Sequence, residues 1–430
     1  MPIVRTSLLA TALAVSALSA QAATPTWRYF TAPDNVLLYS VANNGDGVLN
    51  IGSVGSNQIF NQTGNWYSAA DGSAMMLGGL STANIKISAD TRYIGANINA
   101  GAGVTQAAVL DRNTGIWTAQ GGLNGGASNI VGMSANGQWV AGQAISNAAT
   151  NTKHAVVMHN GQVWDLTPTF SGNNGATSAV AVSNDGRVVT GYAGGNSTNG
   201  SYWIWNDATQ SYTGFTPTIT KVSGVGTTNI QADAVSSNGL WIAGGSSTTN
   251  SRSAGSFGNN IFAATITNVT TGVTTNIPWS HDPFADGNAL DDILKNYRPT
   301  VTGVSDNGMV IGQFNIAAGL AQTVGLTDQE SFIYFATTGQ TLTFDNYLSQ
   351  LGVPLTSSQH VNVLNTISQD GTQISGTLFD KSLGENGQTV GFVLSGAGLI
   401  TAVPEPGQWA LLALGLPLLL ARRLRNRNQA

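Results

Sequence analysis

The chain has 430 residues, 53 of them Gly and none Cys, and only 9% are charged, against about 25% in ordinary soluble domains. The missing cysteines exclude disulfide staples, zinc–thiolate sites and cysteine nucleophiles. The low charge excludes a coiled coil, and a net charge of −5 argues against a basic nucleic-acid-binding face.

Residues 1–22 read as a secretory signal. Arg5 supplies the positive start and residues 8–18 (LLATALAVSAL) the short apolar run. Ala20-Gln21-Ala22 fits the small-x-small cleavage rule, which makes Ala23 the new N-terminus. Signal peptidase is the partner this segment implies.

From residue 23 to 395 the chain is a repeat. One phrase recurs: Ser, any residue, Asn or Asp, Gly, then an apolar run ending in Gly. It stands at 134–142 (SANGQWVAG), 183–191 (SNDGRVVTG), 236–244 (SSNGLWIAG), 305–312 (SDNGMVIG) and 368–376 (SQDGTQISG). A copy at 88–95 (SADTRYIG) has lost the turn Gly, and a looser first copy stands at 42–52 (ANNGDGVLNIG). Asn136-Gly137, Asp185-Gly186, Asn238-Gly239, Asn307-Gly308 and Asp370-Gly371 predict type I′ hairpin turns, because these pairs tolerate positive φ at both central positions. The flanks alternate and are rich in β-branched and aromatic residues, as strands are.

A second apolar run follows each phrase, at 107–110, 155–158, 202–205, 261–266, 331–335 and 390–394, and most are followed by another turn signal such as Asn160-Gly161. Each unit therefore holds two hairpins, or four short antiparallel strands. Four strands per unit of this length, repeated, predict an all-β fold: a β-propeller of about seven four-stranded blades. A β-sandwich pair or a β-solenoid is the alternative. The Gly ending each phrase is expected where a strand packs too closely for a side chain. Residues 27–30 (WRYF) precede the first copy, and a propeller must pair its two ends or expose two sheet edges. That strand is expected to join the blade of Ser368.

The alternation of a Ser-x-Asp-Gly phrase with an Ala-Phe-x-Trp-like strand, here Tyr202-Trp203-Ile204-Trp205 in one unit and Ala155-Val156-Val157-Met158 in another, resembles the HAF family of extracellular repeats over residues 80–395. The resemblance implies export and repeat architecture. It carries no agreed activity, so no catalytic residue transfers.

Candidate chemistry in the body is thin. His154 and His159, five apart on one expected strand, face opposite sides and do not suit a shared metal. The sialidase-type Asp-box has a different spacing, and an arginine triad would have to come from the six body arginines, Arg28, Arg92, Arg112, Arg187, Arg252 and Arg298. Asp282, Asp286, Asn288, Asp291 and Asp292 could offer oxygens to Ca²⁺, but Phe284 and Ile293 stand where an EF-hand loop needs ligands. The reading there is a solvated loop running into a short helix near Tyr297, and no cofactor is expected. The Thr-rich segment 265–275 reads as a polar outer strand. Trp139 and Trp241 occupy equivalent repeat positions, which favours packing over stacking on sugars.

The end of the chain, 396–430, forms a third segment. Val403-Pro404-Glu405-Pro406 precedes an apolar run at 409–421 (WALLALGLPLLLA) and then Arg422, Arg423, Arg425 and Arg427. The run is expected to be a single hydrophobic helix. It is short of the roughly 20 residues that span a bilayer, and the arginines would hold it on the cytoplasmic side as a membrane stop. Pro-Glu-Pro, apolar run and Arg cluster in this order resemble the PEP-CTERM sorting signal of Gram-negative bacteria, the substrate tail of the membrane transpeptidases called exosortases. The resemblance implies an exosortase as partner and delivery to the cell envelope or an extracellular matrix. A plain tail anchor is the alternative. Between the two end segments, six Arg and five Lys oppose 20 acidic residues, so the body carries −9. Only two of those acids are Glu, and Asp is a turn residue.

The body therefore reads as a binding or structural propeller without chemistry of its own, with extracellular polysaccharide as a candidate partner. The competing class is a carbohydrate-active lyase or hydrolase with its site over the central channel.

Overall fold

The computed structural model describes residues 25–30, 36–45, 47–51, 64–67, 74–77, 84–101, 103–147, 149–169, 177–193, 200–216, 218–220, 227–229, 232–245, 264–278, 298–315, 329–383 and 387–396. The signal at 1–22, the acidic loop Asp282 to Asp292 and the whole tail from Val403 onward, with its apolar run, lie outside them. Among the described residues, no helix is long and apolar enough to cross a membrane.

Seven four-stranded antiparallel sheets follow one another along the chain. In blade three, Ser128–Met133, Val140–Asn147, Thr152–His159 and Gln162–Asp165 pair in chain order. Blades one, two, four, five and six repeat that order, beginning at Val36–Val41, Lys86–Ile87, Ser178–Val182, Ala234–Val235 and Arg298–Val304. Blade seven takes Gln359–Ile367, Gln373–Asp380 and Gln388–Ser395 from the end of the repeat, and its outer strand is Thr26–Phe30. The register runs from Thr26 opposite Ser395 to Phe30 opposite Gly391, and the Trp27 ring stacks on Phe392 at 4.4 Å. The expected closing strand is therefore in place. The first strands of the seven blades touch in sequence, and the first strand of blade seven touches that of blade one. The fold is a closed seven-bladed β-propeller. An additional two-stranded ribbon, Thr218–Thr220 with Thr227–Asn229, stands between blades four and five in the chain.

Sheets stacked face to face bury both faces, so the hydrophobic cores lie between blades. Between blades three and four, Ala141, Ala155, Ala179 and Val189 pack with Trp203, whose indole N–H donates to Leu166 O at 3.1 Å and Thr169 Oγ1 at 2.9 Å. Blades fan apart with distance from the axis. Small residues therefore suit the second strands, and bulky Trp203, Phe332 and Phe392 suit the third. The Gly closing the phrase sits on the second strand, and in blades three, four, six and seven it lies opposite a bulge in the first. Ile130 and Gly132 are the register shift facing Gly142, where a Cβ would collide with the Asn129 carbonyl. In these four blades the close approach lies within the blade, while Gly95 of blade two meets Ile130 and Met133 of blade three; none of these glycines faces the channel wall.

The recurring phrase forms the turn between first and second strands, and its geometry corrects one expectation. Only the Gly has positive φ, +72° at Gly137 and Gly186, while the preceding Asx does not. In blade three the turn is a four-residue loop, 135–138, closed by Ser134 N–H to Trp139 O and, within it, by Gly137 N–H to Ser134 O, both at 2.9 Å; in blade six, where Ser305 N–H donates to Met309 O, the loop has three residues. The expected type I′ turn occurs instead in the outer hairpin of blade three, where Asn160 and Gly161 have φ of 49° and 81°.

The Ser is what makes the phrase repeat. Ser134 is buried; its hydroxyl donates to Asn136 Oδ1 at 2.7 Å and accepts from Trp139 N–H at 2.9 Å. Ser88, Ser183, Ser236, Ser305 and Ser368 make the same pair of bonds.

Each turn also grips the next. Asn136 N–H donates to Asn184 Oδ1 and its side-chain amide to Asn184 O, both at 2.8 Å. Asn238 repeats this on Asp306. At the five junctions from blade two to blade seven, the residue just past one turn lies against the Gly of the following turn. A Cβ on Gly186 would stand 2.5 Å from Trp139 Cδ2, and one on Gly308 would stand 3.3 Å from Trp241. Tyr93, Val188 and Met309 meet Gly137, Gly239 and Gly371 in the same way. The equivalent tryptophans thus have a packing role, as their repeat positions suggest.

Two elements depart from the sequence reading. A helix, Phe344–Gln350, follows blade six, with Thr343 Oγ1 accepting from Asn346 N–H at 3.2 Å as its cap. The Thr-rich segment spans the third strand, turn and outer strand of blade five, and Thr265 and Thr267 are buried.

Gly186→Val puts a β-branched residue at positive φ and drives it into Trp139. It is expected to cost about 3 kcal/mol in denaturant unfolding. Thr91 holds the Gly place in blade two at φ 65°, so Thr91→Gly is expected to stabilise by about 1 kcal/mol. An unchanged midpoint for Gly186→Val would contradict the seat described here.

Candidate functional site: the axial channel

The first strands of all seven blades line one axial cavity of about 200 Å³. Its level two residues before the phrase Ser (Ala42 in blade one) reads Ser40, Lys86, Gly132, Ala181, Ala234, Gly303 and Thr366 around the ring. Six of the seven are small, and Lys86 is the one long side chain. Its pKa is lowered by burial: protein surrounds the channel on every side although part of the side chain still faces it. Among the described residues no hydrogen bond or ion pair reaches its ammonium.

The one carboxylate among the described lining residues is Asp233, at the start of the first strand of blade five. Tyr192 of blade four donates its hydroxyl to Asp233 Oδ1 at 2.6 Å, and Gly245 N–H donates to Oδ2 at 3.1 Å. Burial pushes the carboxyl up to about 6, with both hydrogen bonds opposing the shift, and burial together with the Asp233 charge pushes the Tyr192 phenol far above its ordinary value. Lys86 and Asp233 stand on blades two and five, on opposed arcs of the ring. Their charges face a lining otherwise made of Val, Ile, Met, Ala, Gly, Ser, Thr, Asn and Gln.

The residues weighed in the sequence lie elsewhere. His154 Nδ1 is 2.7 Å from Asp165 Oδ2, and Asp165 Oδ1 accepts from Thr167 N–H. His159 Nδ1 donates to Gln138 O at 2.8 Å and its ring stacks on Trp139. The two imidazoles have separate partners. Arg92 pairs with Asp111, Arg187 with Asp207, and Arg112 donates to Thr91 O at 2.7 Å, so these three serve turns at the blade ends. Arg252 lies outside the described residues. Sequence reading missed Lys86, Asp233 and Tyr192. The signal was present: aligned on the phrase Ser, Lys86 and Asp233 are the lone charges at two neutral columns of the repeat.

No family model matches the sequence, and no curated protein is similar to it. Solved structures similar to the chain include the β-propeller domain of the Trilobed protease from Pyrococcus furiosus, 7% identical, covering 80% of this chain and 91% of that one with a TM-score of 0.47. TolB from Acinetobacter baumannii is 15% identical, with coverages of 78% and 66% and a TM-score of 0.38. A putative TolB from Agrobacterium tumefaciens is 15% identical, with coverages of 57% and 82% and a TM-score of 0.36. At this distance none carries an argument about chemistry. The propeller assignment stands on the chain's own sheet order and ring contacts.

Asp233 gives a pH dependence of known sign. Between the ~3.9 of a free aspartate and about 6, the folded protein keeps a proton that the unfolded chain has released. Stability therefore falls as pH rises through that window, by on the order of 2–3 kcal/mol, and stays lower above it. Asp233→Asn removes the titration, while its amide can still donate to Tyr192 and accept from Gly245. The variant is expected to lose this part of the pH slope in thermal melts from pH 4 to pH 7. An identical slope in both proteins would contradict the assignment.

Proposed function

We propose that the protein is exported and sorted to the cell envelope or an extracellular matrix, where its propeller binds rather than transforms a ligand. Ring closure supports it most directly. The last strand ends at Ser395, already paired with Thr26, so the propeller is complete before the Pro404-Glu405-Pro406 segment begins. A processing enzyme can remove everything beyond it without opening a sheet. The two prolines keep helix from running into the segment and leave an extended peptide for an exosortase. Arg422, Arg423, Arg425 and Arg427 resist passage through hydrocarbon and set the tail's orientation.

The binding reading follows from the channel's charges. Glycoside hydrolysis generally uses two carboxyl groups flanking one bond. The described channel lining offers one, already hydrogen-bonded to Tyr192 and Gly245. A rigid ring around a mostly neutral polar cavity suits recognition of a soluble or polymeric ligand such as extracellular polysaccharide.

Mass spectrometry of the mature protein from its native host tests the sorting proposal. The expected product begins at Ala23 and lacks the Arg-rich end, while replacing Pro404, Glu405 and Pro406 together by Ala retains the tail. An intact C-terminus at Ala430 in the unaltered protein would overturn sorting. Tail loss that persists in the triple variant would equally overturn it.

A further inference from the structure

We propose that the axial channel is a binding site for a small hydroxy-carboxylate of single-sugar-acid size, held by donors on blades seven, one and two. The volume is sufficient: about 200 Å³, where an apolar cavity of about 150 Å³ accommodates a benzene ring. The donors are placed and unused. Lys86 on blade two has no anionic partner among the described residues. On blade seven, Asn365 Nδ2 is buried without a hydrogen-bond partner and lines the same cavity. Between them on blade one, Ser40 lines the cavity and its Oγ accepts from Ile87 N–H at 3.3 Å, so its O–H remains a donor.

A buried donor without an acceptor is costly, and a carboxylate in the cavity is an acceptor suited to both the ammonium and the amide. Asp233 does not play that part, since both its oxygens are engaged on the opposite arc by Tyr192 and Gly245. Asp233 nonetheless lines the cavity and brings negative charge to that arc. The cavity is thus polarised, with donors on one arc and the Asp233 carboxyl on the other. A ligand with a carboxylate at one end and hydroxyl groups at the other matches both arcs. A neutral sugar would leave the Lys86 charge uncompensated, and a dianion would meet Asp233.

This inference rests on the binding reading of the propeller and is independent of sorting. Isothermal titration of the full-length chain with glucuronate, and with glucose as the neutral control, tests it. Glucuronate is expected to bind and glucose not. Lys86→Met is expected to weaken glucuronate binding about tenfold or more and Asn365→Leu to weaken it by a smaller factor. Removing an unpaired buried cation should leave the melting temperature of Lys86→Met equal or higher, which separates lost binding from lost fold. Equal binding of glucose and glucuronate, undiminished glucuronate binding by Lys86→Met, or no glucuronate binding by the folded parent would each overturn the site. None of these results would bear on the mass of the processed tail.

Discussion

The packing of one blade's side chain into the glycine of the next blade's turn is the constraint on which this propeller depends. A closed ring of sheets must fix the angle between neighbours seven times, and small errors would accumulate around it. Here the angle is set at the turn rim. A buried Ser hydroxyl holds each turn closed, the Asx beside it reaches the next turn, and Tyr93, Trp139, Val188, Trp241 or Met309 rests on a Gly that has no Cβ to displace it. The same residues therefore serve local turn geometry and long-range assembly. That explains why the phrase persists while the strands around it drift.

The rim lock also produces the channel. With inner strands held at fixed separation, Gly132, Ala181, Ala234 and Gly303 leave open space at one level of the axis instead of collapsing together. A single lysine in that space and a single aspartate opposite are tolerable because the ring is held elsewhere. The polar arcs of the channel cost stability that the interblade cores and turn bonds supply. This division between a rim that stabilises and an axis that recognises is the physical basis for reading the protein as a binding module.

Much of this architecture was legible in the residues. The Ser-x-Asx-Gly phrase located every first hairpin, and the exposed edge problem placed residues 27–30 on blade seven. The turn type was misread because Asn-Gly is the type I′ signature in isolation. The buried Ser hydroxyl holds the Asx side chain inside a longer loop instead, four residues between Ser134 and Trp139, while Asn160-Gly161, with no such Ser, takes the two-residue form. The helix Phe344–Gln350 was missed although Thr343 is a cap residue and Phe344, Tyr347 and Leu348 have helical spacing. Seven residues are too few for periodicity to speak. The channel was invisible for a different reason: its lining comes from one or two residues per blade, and charge there has meaning only once the repeats are superposed in space.

A double-mutant cycle on Trp139 and Gly186 tests the rim lock most directly. Gly186→Ala is made in the parent and in a Trp139→Val background, and unfolding free energies are measured by denaturant titration. If Gly186 serves as the seat of the indole, Ala should be much less costly once the ring is gone, with a coupling of about 1 kcal/mol or more. If Gly186 is required only for its positive φ, the two substitutions will add within about 0.5 kcal/mol, and the interblade account of the repeat phrase fails.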